Sequence, residues 1–224
     1  MGRSGVGKSV CLQLLMGFLK PDSGRVIAAG EDITDFSIEE LEDLHKRVTM
    51  VFQNGALFDS LTVRENVAYP LRERRGLTEE QIDERVDSLL AMVGITSVGD
   101  QLPADISTGL KRSVAIARAL AEQPEAILYD EPTTMVDPFM SHRLIQLIGT
   151  LKAQFKLTSI VVTHDTRLAE NLADQVLFLE KGKIAFLGTT EQMLSSSEPL
   201  VKEFLTLDQS DLPLLEKTGT DASA

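Results

Sequence analysis

Near the start of the chain, Gly2-Arg3-Ser4-Gly5-Val6-Gly7-Lys8-Ser9 fits the spacing G-x-x-x-x-G-K-[ST]. Each residue type has a task at that spacing. Gly2, Gly5 and Gly7 let backbone N–H groups come close to phosphate oxygens, and the whole run, with Arg3, Ser4 and Val6, is expected to line the phosphates. Lys8 would face the β- and γ-phosphates of a nucleoside triphosphate. The Ser9 hydroxyl would ligate Mg²⁺, and the N-terminus of the helix that follows favours an anion. The same letters also describe a glycine-rich turn before an ordinary helix, so the loop needs chemical partners elsewhere in the chain.

Two other segments supply them. The apolar run Ala126-Ile127-Leu128-Tyr129 ends in Asp130-Glu131-Pro132. Adjacent carboxylates at a buried strand end are costly without a cation nearby, so a solvated acidic turn is the weaker reading. Asp130 suits Mg²⁺, a hard cation that takes oxygen ligands, and Glu131 suits polarising an attacking water. His164 follows Ser159-Ile160-Val161-Val162-Thr163, a run rich in β-branched residues. Open α/β sheets bind ligands at the C-terminal ends of their strands, which places His164 beside the γ-phosphate or the water. His45 and His142 have no such setting.

The elements that must position these groups alternate. A helix containing Val10, Leu14, Leu15 and Phe18 follows the glycine loop. Short strands are expected at 26–29, 48–52, 126–129 and 159–163. A capping box, Thr78-Glu79-Glu80-Gln81, opens a helix whose buried face carries Ile82, Val86, Leu89, Leu90 and Val93, with Gly94 at its end. Further helices are expected at about 108–122 and 138–155. Glu180-Lys181-Gly182-Lys183 is a hairpin turn between 176–179 and 184–187. This alternation implies an α/β fold, a P-loop NTPase with a mainly parallel sheet. Residues of about 54–105 are helix-rich and read as a helical lobe inserted into a single domain of residues 1–224, with a flexible polar tail from about 208 to 224. A phosphate loop should follow a buried strand, and only Met1 precedes this one. The expectation is that Met1 is an internal methionine, the last residue of that strand, and that the chain is truncated at its N-terminus.

Composition excludes other classes. Lys plus Arg is 22 against 34 Asp plus Glu, a net charge of −12, which argues against a protein that coats nucleic acid. Aromatic residues are 5% with no Trp, so a base-stacking surface is poorly supplied. Cys11 is the only cysteine, which rules out an intrachain disulfide or a cysteine-rich zinc site. No apolar run approaches the roughly 20 residues that cross a bilayer.

In this order the motifs resemble those of the ATP-binding subunits of ABC transporters, over nearly the whole chain to about Leu207. Gly2 to Ser9 resembles the Walker A motif, Gln53 the Q-loop glutamine, and Ile106-Ser107-Thr108-Gly109-Leu110 the signature motif. Ile127 to Glu131 resembles Walker B, Met135-Val136-Asp137-Pro138 the D-loop, and His164 the switch histidine. The resemblance implies a head-to-tail dimer of two such domains with ATP and Mg²⁺ at the interface. Lys8, Ser9, Gln53, Asp130, Glu131 and His164 would act on one nucleotide, with Glu131 as general base and Gln53 also near the metal. Ser107 and Gly109 would reach the γ-phosphate held by the opposite subunit, and Asp137 would couple the two sites. The helical lobe would dock on a membrane permease, which would hold the chain at the cytoplasmic face of an inner or plasma membrane.

The run Gly55-Ala56-Leu57-Phe58-Asp59-Ser60-Leu61-Thr62-Val63-Arg64-Glu65-Asn66-Val67 is similar to the Mla-type subgroup, which drives lipid trafficking with MCE-domain proteins. The bland alternative is that Leu57, Phe58 and Leu61 pack the lobe. The pattern departs from the family at Thr108, where Gly is usual, at Leu110, where Gln or Met is usual, and at Met135-Val136, where Gly-Leu is usual. A β-branched residue disfavours positive φ, so Thr108 is expected to strain the signature loop. That strain, with the missing N-terminal strand, favours the competing function, a nucleotide-gated regulatory module with little turnover. Glu131 and His164 favour the ATPase motor.

Overall fold

The computed structural model describes residues 1–74 and 76–210, with side chains described to residue 206; most of the tail expected from 208 lies outside the described residues. In chain order the elements are α1 (Lys8–Leu15), β1 (Ile27–Ala28), β2 (Glu31–Asp32), α2 (Ile38–Arg47), β3 (Val48–Val51), α3 (Val63–Glu73) and α4 (Glu79–Met92). A single 3-10 turn at Pro103–Asp105 leads to α5 (Thr108–Ala121), β4 (Ala126–Asp130), α6 (Pro138–Phe155), β5 (Thr158–Val162) and α7 (Thr166–Leu172). The chain then forms β6 (Val176–Glu180), β7 (Lys183–Gly188), α8 (Thr190–Leu194) and α9 (Pro199–Ser210).

The middle of the fold is a parallel ladder, β3-β4-β5, with β4 at its centre. Val48 pairs with Ala126 and Val51 with Tyr129 on one side; Ala126 pairs with Thr158 and Asp130 with Val162 on the other. Parallel neighbours need long crossovers, which α3, α4 and α5 provide between β3 and β4, and α6 between β4 and β5. A strand in this position is covered on both faces, which explains the unbroken apolar run of β4. Ile127 and Tyr129 point into a cluster with Val114, Ile116, Leu144 and Ile148, while Leu128 points the other way, against Leu12 and Met16. The α3 and α4 helices join the first of these clusters through Val67, Leu71, Ile82 and Val86.

The capping box at Thr78 forms as its letters require: Gln81 N–H donates to Thr78 Oγ1 at 3.3 Å and Thr78 N–H to Gln81 Oε1 at 3.0 Å. The same device opens α2 with Ser37 and Glu40 and α3 with Thr62 and Glu65. Lys181 and Gly182 both take left-handed φ, 48° and 73°, the two-residue turn that matches the twist of a β6–β7 hairpin. One expectation fails. The first helix stops at Leu15, Gly17 turns the chain with φ 68°, and Phe18 lies beyond the helix and exposed. The buried contacts are made by Leu12 and Met16, four residues apart on one helical face, and not by Val10 or Phe18.

Candidate functional site

Because β3, β4 and β5 run parallel, their C-terminal ends lie along one edge of the sheet. Asp130 ends β4, and Gln53, Glu131 and His164 follow strand ends there. The P-loop reaches the same edge. Gly2 is fixed by close approach: a Cβ on it would sit 2.5 Å from the Leu179 carbonyl oxygen, and its φ of 142° suits glycine. Gly5 and Gly7, at φ 80° and 100°, turn the loop into α1. Within this loop Ser4 is exposed and Val6 half-buried; Arg3 is exposed and ion-paired with Glu203.

Lys8 and Ser9 connect the loop to the acidic strand end. Lys8 Nζ donates to the carbonyl oxygens of Gly2 at 2.9 Å and Arg3 at 3.1 Å, and stands 3.7 Å from Glu131 Oε1. Ser9 Oγ donates to Asp130 Oδ1 at 2.9 Å. Burial pushes the Asp130 carboxyl above its ordinary pKa; Ser9 opposes that shift, and the neighbouring Glu131 adds to it. A buried carboxylate with a hydroxyl beside it is a donor set of hard oxygens. It fits Mg²⁺, which binds through one or two protein oxygens and completes its shell with phosphate and water.

Glu131 is buried and sits in the left-handed region at φ 48°, an uncommon conformation for a side chain of its size. Its N–H donates to Val162 O at 2.8 Å, which ties the turn after β4 to β5. His164 Nδ1 donates to Glu131 Oε2 at 2.8 Å, and Thr134 Oγ1 donates to the same oxygen at 3.1 Å. The structure therefore brings Lys8, Ser9, Asp130, Glu131 and His164 together. Gln53 is exposed in the turn after β3, on the same edge, with no hydrogen bond to Ser9 or Asp130.

Ser107, Gly109 and Asp137 form a second group. Ser107 caps α5, accepting from Leu110 N–H at 3.3 Å, and Asp137 caps α6, accepting from Met140 N–H at 3.0 Å. A Cβ on Gly109 would lie 2.9 Å from Met140 Cε, so glycine lets α5 and α6 approach here. Among the described residues no hydrogen bond or ion pair joins this group to the P-loop. Thr108 corrects an expectation: it is the first residue of α5 and is not among the residues at positive φ, so its branched side chain strains nothing. Of the residues that depart from the family pattern, Met135 is the one at positive φ, 60°, and it is 86% exposed.

Three residues to which the sequence reading gave no role of their own support the site. Thr134 holds Glu131 as described. Arg118 on α5 donates to Ala56 O at 2.8 Å and Gly55 O at 3.1 Å, fixing the loop after Gln53. The fully buried Asn66 accepts from Phe58 N–H at 2.8 Å and donates to the carbonyls of Phe58, Leu61 and Thr62. A hydroxyl three residues past Glu131 is a local signal; the other two contacts span a loop and carry none.

A phosphate loop joined through Ser9 to a strand-end carboxylate identifies a P-loop NTPase, and comparison with known proteins narrows it. The family model described as ABC transporter matches residues 1–134. The chain belongs to the ABC transporter family. Within it, this is an ATP-binding subunit and an ATPase. The chain is 39% identical to the Haemophilus influenzae intermembrane phospholipid transport system ATP-binding protein MlaF, over 96% of this chain and 81% of that one. It is 38% identical to a probable ribonucleotide transport ATP-binding protein, mkl, of Mycobacterium tuberculosis, over 92% of this chain but only 57% of that longer protein. The dimeric post-hydrolysis state of the ATP-binding cassette MJ0796 bound to ADP and Pi superposes with a TM-score of 0.78 at 31% identity, covering 85% of this chain and 83% of that one.

Proposed function

We propose that this subunit powers phospholipid or lipid trafficking through a separate membrane permease, by hydrolysing ATP between two copies of the chain. The observation that carries the catalytic part is the cluster of Glu131 with Lys8, His164 and Thr134 next to the Ser9–Asp130 pair. The P-loop amides and Lys8 bind the β- and γ-phosphates. Ser9 and Asp130 would hold Mg²⁺, which would supply charge neutralisation at the phosphates, with Gln53 on the same side of the site. Glu131 accepts the proton of the attacking water, and His164 and Thr134 keep its carboxylate oriented. Lys8, drawn to phosphate, leaves Glu131 Oε1 available for the water.

Ser107 is exposed at the start of α5 and makes no hydrogen bond to its own P-loop, which supports a head-to-tail pair in which Ser107 and Gly109 serve the other copy's γ-phosphate and Asp137 lies between the sites. The dimeric form of MJ0796 supports the same pairing. Phe58 and Tyr69, each more than two-fifths exposed and with ring centroids 4.8 Å apart, support a docking role for the helical lobe. They lie beside the loop that Arg118 holds, and Phe58 does not serve as core. Among the described residues no helix is long and apolar enough to cross a membrane, so the permease would supply the span and hold the subunit at the cytoplasmic face. The lipid assignment, with an MCE-domain partner, rests on the Gly55–Val67 run and the likeness to MlaF. Purification of the full chain from membranes tests it: a permease and an MCE-domain protein are expected in the eluate, and a permease with a soluble ribonucleotide-binding partner would overturn it.

A further inference from the structure

The α5 helix carries a buried cation with no acid beside it. Arg112 is 3% exposed, and burial lowers its pKa with no neighbouring carboxylate to oppose the shift. A buried charge is costly unless it is paired. Asp plus Glu number 34 against 22 Lys plus Arg, so acids are not scarce in this chain.

What Arg112 touches is backbone. Its Nη2 donates to Thr134 O at 3.4 Å, in the turn after β4, while Nε is buried without a partner. A Cβ on Gly55 would lie 3.9 Å from Nη1, so the guanidinium also borders the loop after Gln53. The turn that it holds is strained at both ends, with Glu131 at φ 48° and Met135 at φ 60°. Such conformations persist only where the surroundings hold them. Glu131 N–H ties the turn to Val162 O, Thr133 Oγ1 ties it to Asp165 Oδ2 at 3.3 Å, and Arg112 ties it to α5. Thr134 passes that last tie to the reacting group. Its carbonyl accepts from Arg112, its hydroxyl donates to Glu131 Oε2 at 3.1 Å, and its N–H donates to Glu131 O at 3.3 Å.

We propose that Arg112 is a positioning residue for ATP hydrolysis: through Thr134 it holds the Glu131 carboxylate in place for the attacking water. The uncompensated charge is kept for that task. This role rests on the reading of Glu131 as the base. It acts on the geometry of the reaction and not on the nucleotide, so it belongs to kcat and not to KM.

The test measures steady-state ATPase and melting temperature for the full chain and four variants: Arg112→Met, Thr134→Val, the two combined, and Glu131→Gln. Arg112→Met is expected to lower kcat about tenfold, the worth of one hydrogen bond from a charged donor, and to leave KM for ATP within about twofold. Its melting temperature should hold or rise, because an apolar chain of similar length replaces an unpaired buried cation. Thr134→Val should also lower kcat, and the combined variant should be no slower than the slower single one, since both act through one contact. A kcat within about twofold of wild type in Arg112→Met overturns the proposal. So does a lower melting temperature together with a raised KM, the mark of a general structural role. A combined loss equal to the product of the single losses would place the action of Arg112 elsewhere, and overturns it too. Glu131→Gln separates this role from the reading beneath it. Turnover retained there removes the base itself, whereas turnover lost there and kept in Arg112→Met refutes the positioning role alone.

Discussion

Glu131 gathers three donors around one carboxylate, and its substitution separates binding from chemistry. Glu131→Gln keeps the side chain's size and its bond from Thr134 but removes the base. Turnover is expected to fall by about 10²–10⁴-fold, the usual worth of a positioned base, with ATP affinity retained in calorimetry. Turnover near the wild-type rate would take Glu131 out of that role. Two glycine substitutions are expected to move stability in opposite directions. Met135 holds left-handed φ with its side chain almost wholly exposed, so glycine there relieves about 1–2 kcal/mol of strain and gives back about 0.5–1 in chain entropy. The melting temperature should rise by up to about 2–4 °C for a domain of this size. Thr108 is helical, so Thr108→Gly should lower it, costing up to about 1 kcal/mol. The sequence showed that both residues depart from the family pattern. It could not show which one is strained, because that depends on the backbone angle and not on the residue type.

Among elements, the segment after Gln53 depends on a side chain buried under it. Asn66 makes four hydrogen bonds to the backbone of residues 58–62; Asn66→Ala removes the partners of Phe58 N–H and Leu61 O, while Phe58 O keeps Leu61 N–H and Thr62 O keeps the residue-66 backbone N–H. A loss of about 2–4 kcal/mol is expected in urea unfolding, since buried groups left unpaired cost about 1–3 kcal/mol each and part of the loop can reach water. A loss below 0.5 kcal/mol, well under the ~1 kcal/mol of one typical hydrogen bond, would mean that the loop is held elsewhere. Elements with strong local signals were legible: the capping box at Thr78, the Lys181-Gly182 turn, and α6 from Pro138 to Phe155. The motif letters put Asp130, Glu131 and His164 at strand ends, and parallel strand direction brings those ends to one edge, where Lys8 and Ser9 of α1 meet them. The α2 helix was missed although Ser37-Ile38-Glu39-Glu40 has the capping-box spacing. Leu41 and Leu44, three residues apart, also lie on its core side, so both the cap and the apolar spacing were present in the sequence.

In the whole molecule, the proposed site has two parts that no hydrogen bond or ion pair joins among the described residues: Lys8 and Glu131 at the strand edge, and Ser107 with Gly109 at the start of α5. On the proposed pairing, a head-to-tail dimer closes two such sites. Inactive variants should then rescue each other. Lys8→Ala removes the cation that faces phosphate, and Ser107→Arg blocks the contact made across the interface; each protein alone should hydrolyse little ATP. In a mixed dimer, the P-loop of the Ser107→Arg copy meets the intact Ser107 of the Lys8→Ala copy, so one of the two sites is whole. Free exchange puts half of the dimers in the mixed form, and independent sites would then recover roughly a quarter of wild-type activity. The measurement is steady-state phosphate release as the mixing ratio varies, with a maximum expected at equal amounts. Activity that stays at the level of the separate variants at every ratio would show either that each chain completes its own site or that one broken site silences the other. Mixing Ser107→Arg with wild type distinguishes these, since a silenced dimer loses activity faster than the fraction of variant added, whereas a self-contained site loses it in proportion.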